Sequence, residues 1–230
     1  MTSMTTSIFQ RALGADFDRL HPHIRRRFSV GFGSGEACIG RGTMDRIWHG
    51  RSFVRPFLAL GGSRNILVPQ AGRDIPFVIE NVPYTDSFGR ETVTFVRTFS
   101  FPRRPRRFDA TMVFSPERGC VVDYLGTHQH LATDLHFTVD DSGALIIRSG
   151  EHRFREGPVD VRVPDLIGGD AVVRESYDEA AGRFRIQVRV GNRRFGPLFG
   201  YEGSFTAEFV NVAERGVRAG LRPVREEARA

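Results

Sequence analysis

Arg97 is the residue whose setting most demands chemistry. In Val93-Thr94-Phe95-Val96-Arg97-Thr98-Phe99-Ser100-Phe101 it shares one face with Val93, Phe95, Phe99 and Phe101. A strand alternates its faces, so this face is aromatic except for one guanidinium. Such a cation needs an anion, because an unpaired buried charge costs several kcal/mol. Asp123 and Glu151 could work as an acid/base pair, or Asp123 could simply neutralise Arg97. Tyr124 and Tyr201 can donate hydrogen bonds to a ligand carbonyl, or sit in the core with satisfied hydroxyls. Met44 and Trp48 share a face of the first strand with Cys38 and read as core or binding wall. The catalytic candidates are therefore Arg97, Asp123 and Tyr201. The candidate ligand-binding set is Met44, Trp48, Phe95, Arg97, Phe99, Tyr124, Glu151 and Tyr201.

Other patterns suggest chemistry less well. His128-x-His130 with Asp134 and His136 has the spacing of a strand-borne metal motif. The odd positions of that strand are the apolar ones, so the histidine face is expected outside and no metal is expected. Gly31-x-Gly33-x-Gly35 follows a helix and precedes a strand, the reverse of the dinucleotide fingerprint, so NAD binding is rejected. There is no Gly-x-Ser-x-Gly elbow, and Cys38 and Cys120 lie among apolar neighbours. No cofactor is expected.

The elements that must position these residues are mostly strands. The chain has 230 residues, 40% hydrophobic and 26% charged, a balance that suits a soluble globular protein, and with Cys38 and Cys120 as its only cysteines a reducing cytoplasm is expected. No stretch is long and apolar enough to span a membrane. All 33 cations are Arg, set against 27 acids, and they are scattered without a recognition motif. The net charge of +6 thus reads as solvated surface, and no nucleic-acid partner is expected. Residues 1–7 read as disordered, 8–213 as one β-rich domain and 214–230 as an Arg/Glu/Ala tail, either a short exposed helix or disorder. Apolar residues from Ile8 to Phe28 recur at three- and four-residue steps, which predicts a helix near 8–27 broken at Gly14 and Pro22. A second helix is expected at 51–60. Strands are expected at 34–48, 75–84, 90–101, 107–115, 119–126, 129–140, 143–155, 169–178, 183–191 and 197–211, separated by Gly/Asp/Pro turns. Short connections make neighbours antiparallel. So many antiparallel strands curl or close to remove their edges. The fold expected is an antiparallel, strongly curved sheet or β-barrel enclosing a cavity, with short N-terminal helices.

Several local patterns occur together in a known order. They are Gly40-Arg41-Gly42, Phe95-x-Arg97-x-Phe99, Asp123-Tyr124-x-Gly126, a loop centred on Pro164, Gly182-Arg183-Phe184 and Tyr201-x-Gly203-x-Phe205. Leu13-Gly14 and Leu20-His21-Pro22 precede them. With these the chain resembles the bacterial domain of unknown function family 4166 along its length. The resemblance implies kinship with a domain also found fused behind saccharopine-dehydrogenase-like NAD(P)-binding reductases. The chain departs from the family pattern at Phe95, where Trp is usual, and at Asp123, where Glu is usual. The family's acidic residue at that position makes Asp123 the preferred partner of Arg97, with Glu151 the alternative. The resemblance implies no catalytic residues.

Two functions are compatible with these residues. Twenty Phe, one inward Arg and no nucleophile suit a cofactor-free barrel enzyme that folds a lipophilic, polyketide- or lipid-like intermediate toward cyclisation or isomerisation. The alternative is a non-catalytic domain that binds a lipophilic small molecule for a separate NAD(P)-dependent reductase. An oligomer is compatible with either.

Overall fold

The N-terminal segment caps one end of a barrel. The computed structural model describes residues 6–50, 62, 64–164, 168–212, 217–218 and 220–230. Helix α1 (Ile8–Leu13) starts at Ser7, whose Oγ accepts from the Gln10 N–H at 3.2 Å, and stops at Gly14, where φ is +56°. A 3₁₀ turn (Gly14–Arg19) leads to α2 (Pro22–Phe28), which opens on its proline. The breaks at Gly14 and Pro22 are those expected. Ser7 itself corrects the reading of 1–7 as disordered: it is 3% exposed and its hydroxyl donates to the Phe28 carbonyl at 2.8 Å. The helix expected at 51–60 lies outside the described residues.

The strands are β1 (Glu36–His49), β2 (Gly72–Asn81), β3 (Pro83–Thr85), β4 (Glu91–Thr94), β5 (Val96–Ser100), β6 (Pro105–Phe108) and β7 (Ala110–Ser115). They continue with β8 (Cys120–Leu125), β9 (Leu131–Val139), β10 (Leu145–Glu156), β11 (Val159–Arg162), β12 (Asp170–Asp178), β13 (Arg183–Asn192) and β14 (Gly196–Asn211). All ladders are antiparallel. Each expected strand is present, shifted by a few residues at most, and β11 is an addition. The pairs β2/β3, β4/β5 and β6/β7 are three long strands interrupted at Val82, Phe95 and Asp109. Their register runs through the interruptions unbroken: Ile79 faces Arg97 and Pro83 faces Val93, while Arg97 faces Phe108 and Val93 faces Met112. Phe95 and Ala110 exchange both backbone hydrogen bonds, at 2.7 and 3.1 Å.

With these pairs joined, and β11 left as a flap on β10, the strands pair in sequence order from β1 to β14, and β14 pairs back onto β1. The sheet is a barrel whose wall has no free edge along this circuit. Glycine makes room inside it. A Cβ on Gly40 would press against Ile79 and the Phe205 ring, so the bare backbone is what lets that ring lie across β1.

The core fills the barrel and extends under the helices. Phe9 of α1 meets Phe28, Phe95 and Phe137 edge-on at 5.0–5.9 Å between centroids. His21 accepts this cap into the β9–β10 turn, its N–H donating to the Gly143 carbonyl at 2.9 Å. Two smaller apolar clusters lie on the other side of the wall. One holds Ala37, Ile39, Val82 and Val96 with Leu221; the other holds Val113, Val122, Tyr124 and Ala132 with Ala230. The tail therefore differs from the exposed helix or disorder expected. Residues 221–230 are an irregular strap: Val224 N–H donates to the Thr127 carbonyl at 2.7 Å and Glu227 N–H to Gln129 Oε1 at 2.6 Å.

Candidate functional site

Alternation along the ladders decides what enters the barrel. Phe77 and Ile79 on β2 share a face with Phe95, Arg97 and Phe99 on the β4/β5 strand, and all belong to or face the main core. Asp123 lies opposite Met112, a core residue, and Tyr201 lies opposite Ile47. Met44, Phe95, Phe99, Arg97, Asp123 and Tyr201 are thus interior residues. The three polar ones are 8%, 7% and 0% exposed. Tyr201 and Asp123 lie toward the end where β1 finishes at His49 and β8 at Leu125, while Arg97, opposite Ile79, lies one inward position beyond Phe95, whose ring packs on Phe9 and Phe28 of the helices.

These polar groups are buried without being satisfied. The Arg97 guanidinium lies 4.6 Å from the Phe108 ring centroid and 5.5 Å from that of Phe95, held by aromatic faces. Its Nε and Nη1 have no hydrogen-bond partner, nor do Asp123 Oδ1 and the Tyr201 hydroxyl. Among the described residues no ion pair joins Arg97 to Asp123 or to Glu151, so the pairing expected from sequence is not formed. Arg97 still acts on its neighbours through space. Burial pushes the Asp123 carboxyl up to about 7, against the pull of Arg97. Burial likewise pushes Tyr201 up to about 12, with Arg97 again opposing. A carboxyl held well above its ordinary range can exchange a proton near neutrality, and a guanidinium and a phenol that both face the interior can steady a developing oxyanion.

Three sequence candidates stand elsewhere. Trp48 is outside because β1 bulges between Met44 and Arg46: Met44 and Ile47 both point inward, and Trp48 falls on the outer face, its ring over Gly200. Tyr124 is outside because its neighbour Asp123 is inside. Its hydroxyl donates to the Arg229 carbonyl of the strap. Glu151 sits at the β10 bulge and pairs with Arg153 at 2.8 Å, so it is neither the partner of Arg97 nor part of the interior group. The histidine motif is also dispersed. His130 Nδ1 pairs with Glu156 at 2.6 Å, Asp134 pairs with Arg118, and His136 is exposed on β9. Among the described residues no metal-holding group of His, Cys, Asp and Glu is present.

Two features escaped the sequence reading. Asp123, Thr133 and His152 face one another across β8, β9 and β10, and Thr133 Oγ1 is 2.8 Å from His152 Nδ1. Thr133 could have been seen, since it stands on the apolar face of Leu131-x-Thr133-x-Leu135. His152 could not, because the bulge after Ser149 inverts its parity. The second feature is a polar knot under the helix cap. Arg27 Nε donates to Glu175 Oε2 at 2.8 Å, and Arg27 Nη1 donates to Asn81 Oδ1 at 2.5 Å and to Cys38 Sγ at 3.2 Å. All four residues are at most 2% exposed. Burial disfavours the Arg27 charge, but Glu175 and Cys38 outweigh it and its pKa rises; burial also pushes the Cys38 thiol up.

The depressions described on the protein lie away from the interior group. The larger, about 550 Å³, lies between Arg11, Arg90, Glu91, Phe114 and Ala228, and a small cleft of about 10 Å³ lies by Ile39 and Leu221. A family model for a domain of unknown function, DUF4166, matches residues 20–205. The chain belongs to this family. The DUF4166 match spans β1 through most of β14, and so includes Arg97, Asp123 and Tyr201. The chain is also 30% identical over 203 residues to the uncharacterised protein YndH of Bacillus subtilis (strain 168), covering 88% of this chain and 98% of YndH. The relation therefore extends over essentially the whole barrel. Among the described residues of this DUF4166 chain no helix is long and apolar enough to cross a membrane.

Proposed function

We propose that the barrel binds a small lipophilic molecule bearing a carbonyl group and promotes its isomerisation or cyclisation without a cofactor. One observation carries the reading: three separate wall strands, β5, β8 and β14, turn Arg97, Asp123 and Tyr201 into an aromatic interior with bonding capacity left unused. Buried polar groups are nearly always satisfied, so unsatisfied ones in a stable fold point to a missing partner. In the reaction, ionised Asp123 removes a proton from the carbon beside the carbonyl. The C–H electron pair becomes the enolate, whose oxygen accepts hydrogen bonds from Arg97 and Tyr201. Protonated Asp123 returns the proton to a different carbon, or the enolate carbon closes a ring onto a second carbonyl of the same chain, whose oxygen takes that proton. Either course balances without an oxidant or reductant. The aromatic walls fix the conformation in which this occurs.

Native mass spectrometry of the protein as purified detects the occupant. Incubation of that compound with protein in deuterated water is then expected to place deuterium beside its carbonyl, an exchange abolished in Asp123→Asn. A compound that binds with no exchange in the native protein would overturn the catalytic reading in favour of a binding domain.

A further inference from the structure

We infer that the ligand of this interior site is an organic anion, and that Arg106 at the loop end of the barrel holds its permanent negative charge. The inference rests on the reading of the interior as a ligand site and names the class of ligand. Arg106 lies opposite Phe99, while the next inward-facing residue of the same strand, Phe108, lies opposite Arg97. Arg106 and Arg97 are therefore diagonal neighbours on one wall, their side chains rooted on the order of 7–8 Å apart. Arg107, between them in sequence, faces the other way and is satisfied there. It donates to Asp109 at 3.0 and 2.8 Å and to the Gly220 carbonyl at 2.6 Å. Among the described residues Arg106 has no such partner. Its Nε is buried with no hydrogen bond, and among the described residues neither it nor Arg103 or Arg104 in the same hairpin forms an ion pair.

The charges around this wall do not balance. Arg97 and Arg106 share this wall with one interior carboxyl, Asp123, which burial holds well above the ordinary carboxylate range; Asp109, which also feels Arg97, is already bonded to Arg107; and Arg104 adds a third cation at the rim, where burial and Arg104 together lower the Arg106 pKa. A low-dielectric enclosure with surplus positive charge favours an anion that can bring its apolar body with it. A carboxylate fits the planar fork of a guanidinium with two parallel hydrogen bonds. The ligand is thus an oxo acid: its carboxylate at Arg106, its reacting carbonyl deeper at Arg97 and Tyr201, and its apolar part against the phenylalanines.

The test is fluorescence titration with a matched pair of dyes, anionic 1-anilinonaphthalene-8-sulfonate and neutral N-phenyl-1-naphthylamine, each competed with dodecanoate and with dodecanol at neutral pH. Dodecanoate is expected to displace either dye much better than dodecanol. Arg106→Gln is expected to weaken dodecanoate about tenfold, the worth of one charge-assisted pair, and Arg106→Lys to recover part of the loss. Dodecanol binding should be unchanged in both variants, which also reports that the barrel is intact. Equal competition by dodecanol, or a dodecanoate affinity indifferent to Arg106→Gln, would overturn the anion assignment while leaving a lipophilic site. If neither dye binds, the interior is not a ligand site and both readings fall.

Discussion

The barrel contains two buried arginines that reach successive inward positions of β2, Asn81 and Ile79, and their circumstances differ. Arg27 enters from a helix and is knotted to Glu175, Asn81 and Cys38. Arg97 enters from a strand and rests against the Phe95 and Phe108 rings, with no ion pair to Asp123 among the described residues and its Nε and Nη1 without a hydrogen-bond partner. Both are almost wholly buried, so burial alone does not distinguish them. Pairing does. Arg27 has a carboxylate and makes three hydrogen bonds, leaving Nη2 without a partner, whereas Arg97 leaves both Nε and Nη1 without one and has no ion pair among the described residues. A charge paired with its anion fixes where the cap docks, whereas one without it stores interaction for something that arrives later.

The comparison can be broken most decisively at the knot. Glu175→Gln leaves the Arg27 charge buried without its anion and is expected to cost about 3–5 kcal/mol, read as a lower melting temperature. Replacing both residues, Arg27→Met with Glu175→Leu, is expected to cost much less than the sum of the single changes. At the other site the sign reverses. Asp123 has a folded pKa near 7, above its ordinary 3.8, so its burial adds no penalty below about pH 4. Between pH 4 and 7 the unfolded chain ionises first, and the protein loses stability as pH rises. Asp123→Asn is expected to remove this loss, raising stability above pH 7 by up to about 4 kcal/mol and changing little in acid. Denaturant melts across that pH range check it.

The tyrosines sharpen the contrast. Tyr124→Phe deletes a bond to the Arg229 carbonyl and is expected to cost about 1 kcal/mol, whereas Tyr201→Phe deletes a hydroxyl with no partner and is expected to be near neutral. Arg97→Met is expected to leave stability within about 1 kcal/mol, since an unpaired buried charge gives way to an apolar chain. An Arg97→Met loss as large as that of Glu175→Gln would erase the distinction.

How much of this was legible follows from the range of each signal. Period-two alternation is local, and it located all ten wall strands and the inward face of Phe95-x-Arg97-x-Phe99. Parity also shows that Asp123 and Tyr124, as neighbours on one strand, could not both be interior. Trp48 and His152 were misjudged or missed because each follows a bulge, and a bulge inverts parity without a sequence mark strong enough to place it. The Arg27 knot was invisible because its members come from a helix and three separate strands. A lone acid on the apolar face of Val173-x-Glu175-x-Tyr177 was the available hint. Arg97 itself was read correctly as inward, but its aromatic seating required coordinates.

The seam between β1 and β14 has a consequence for how the chain acquires its shape. It joins Glu36 to Asn211, so the longest ladder of the wall is also the one with nearly the greatest sequence separation. Meander hairpins such as β7–β8 or β13–β14 can zip locally on a microsecond scale, of order 1–10 μs. The seam must wait for loop-closure entropy to be overcome across most of the chain, which places folding among slow, high-contact-order β proteins. During synthesis the first strand emerges with one edge committed to a partner not yet made. Until β14 leaves the ribosome, β1 carries an unpaired edge whose apolar face is the future core, the condition in which β chains associate wrongly or recruit chaperones.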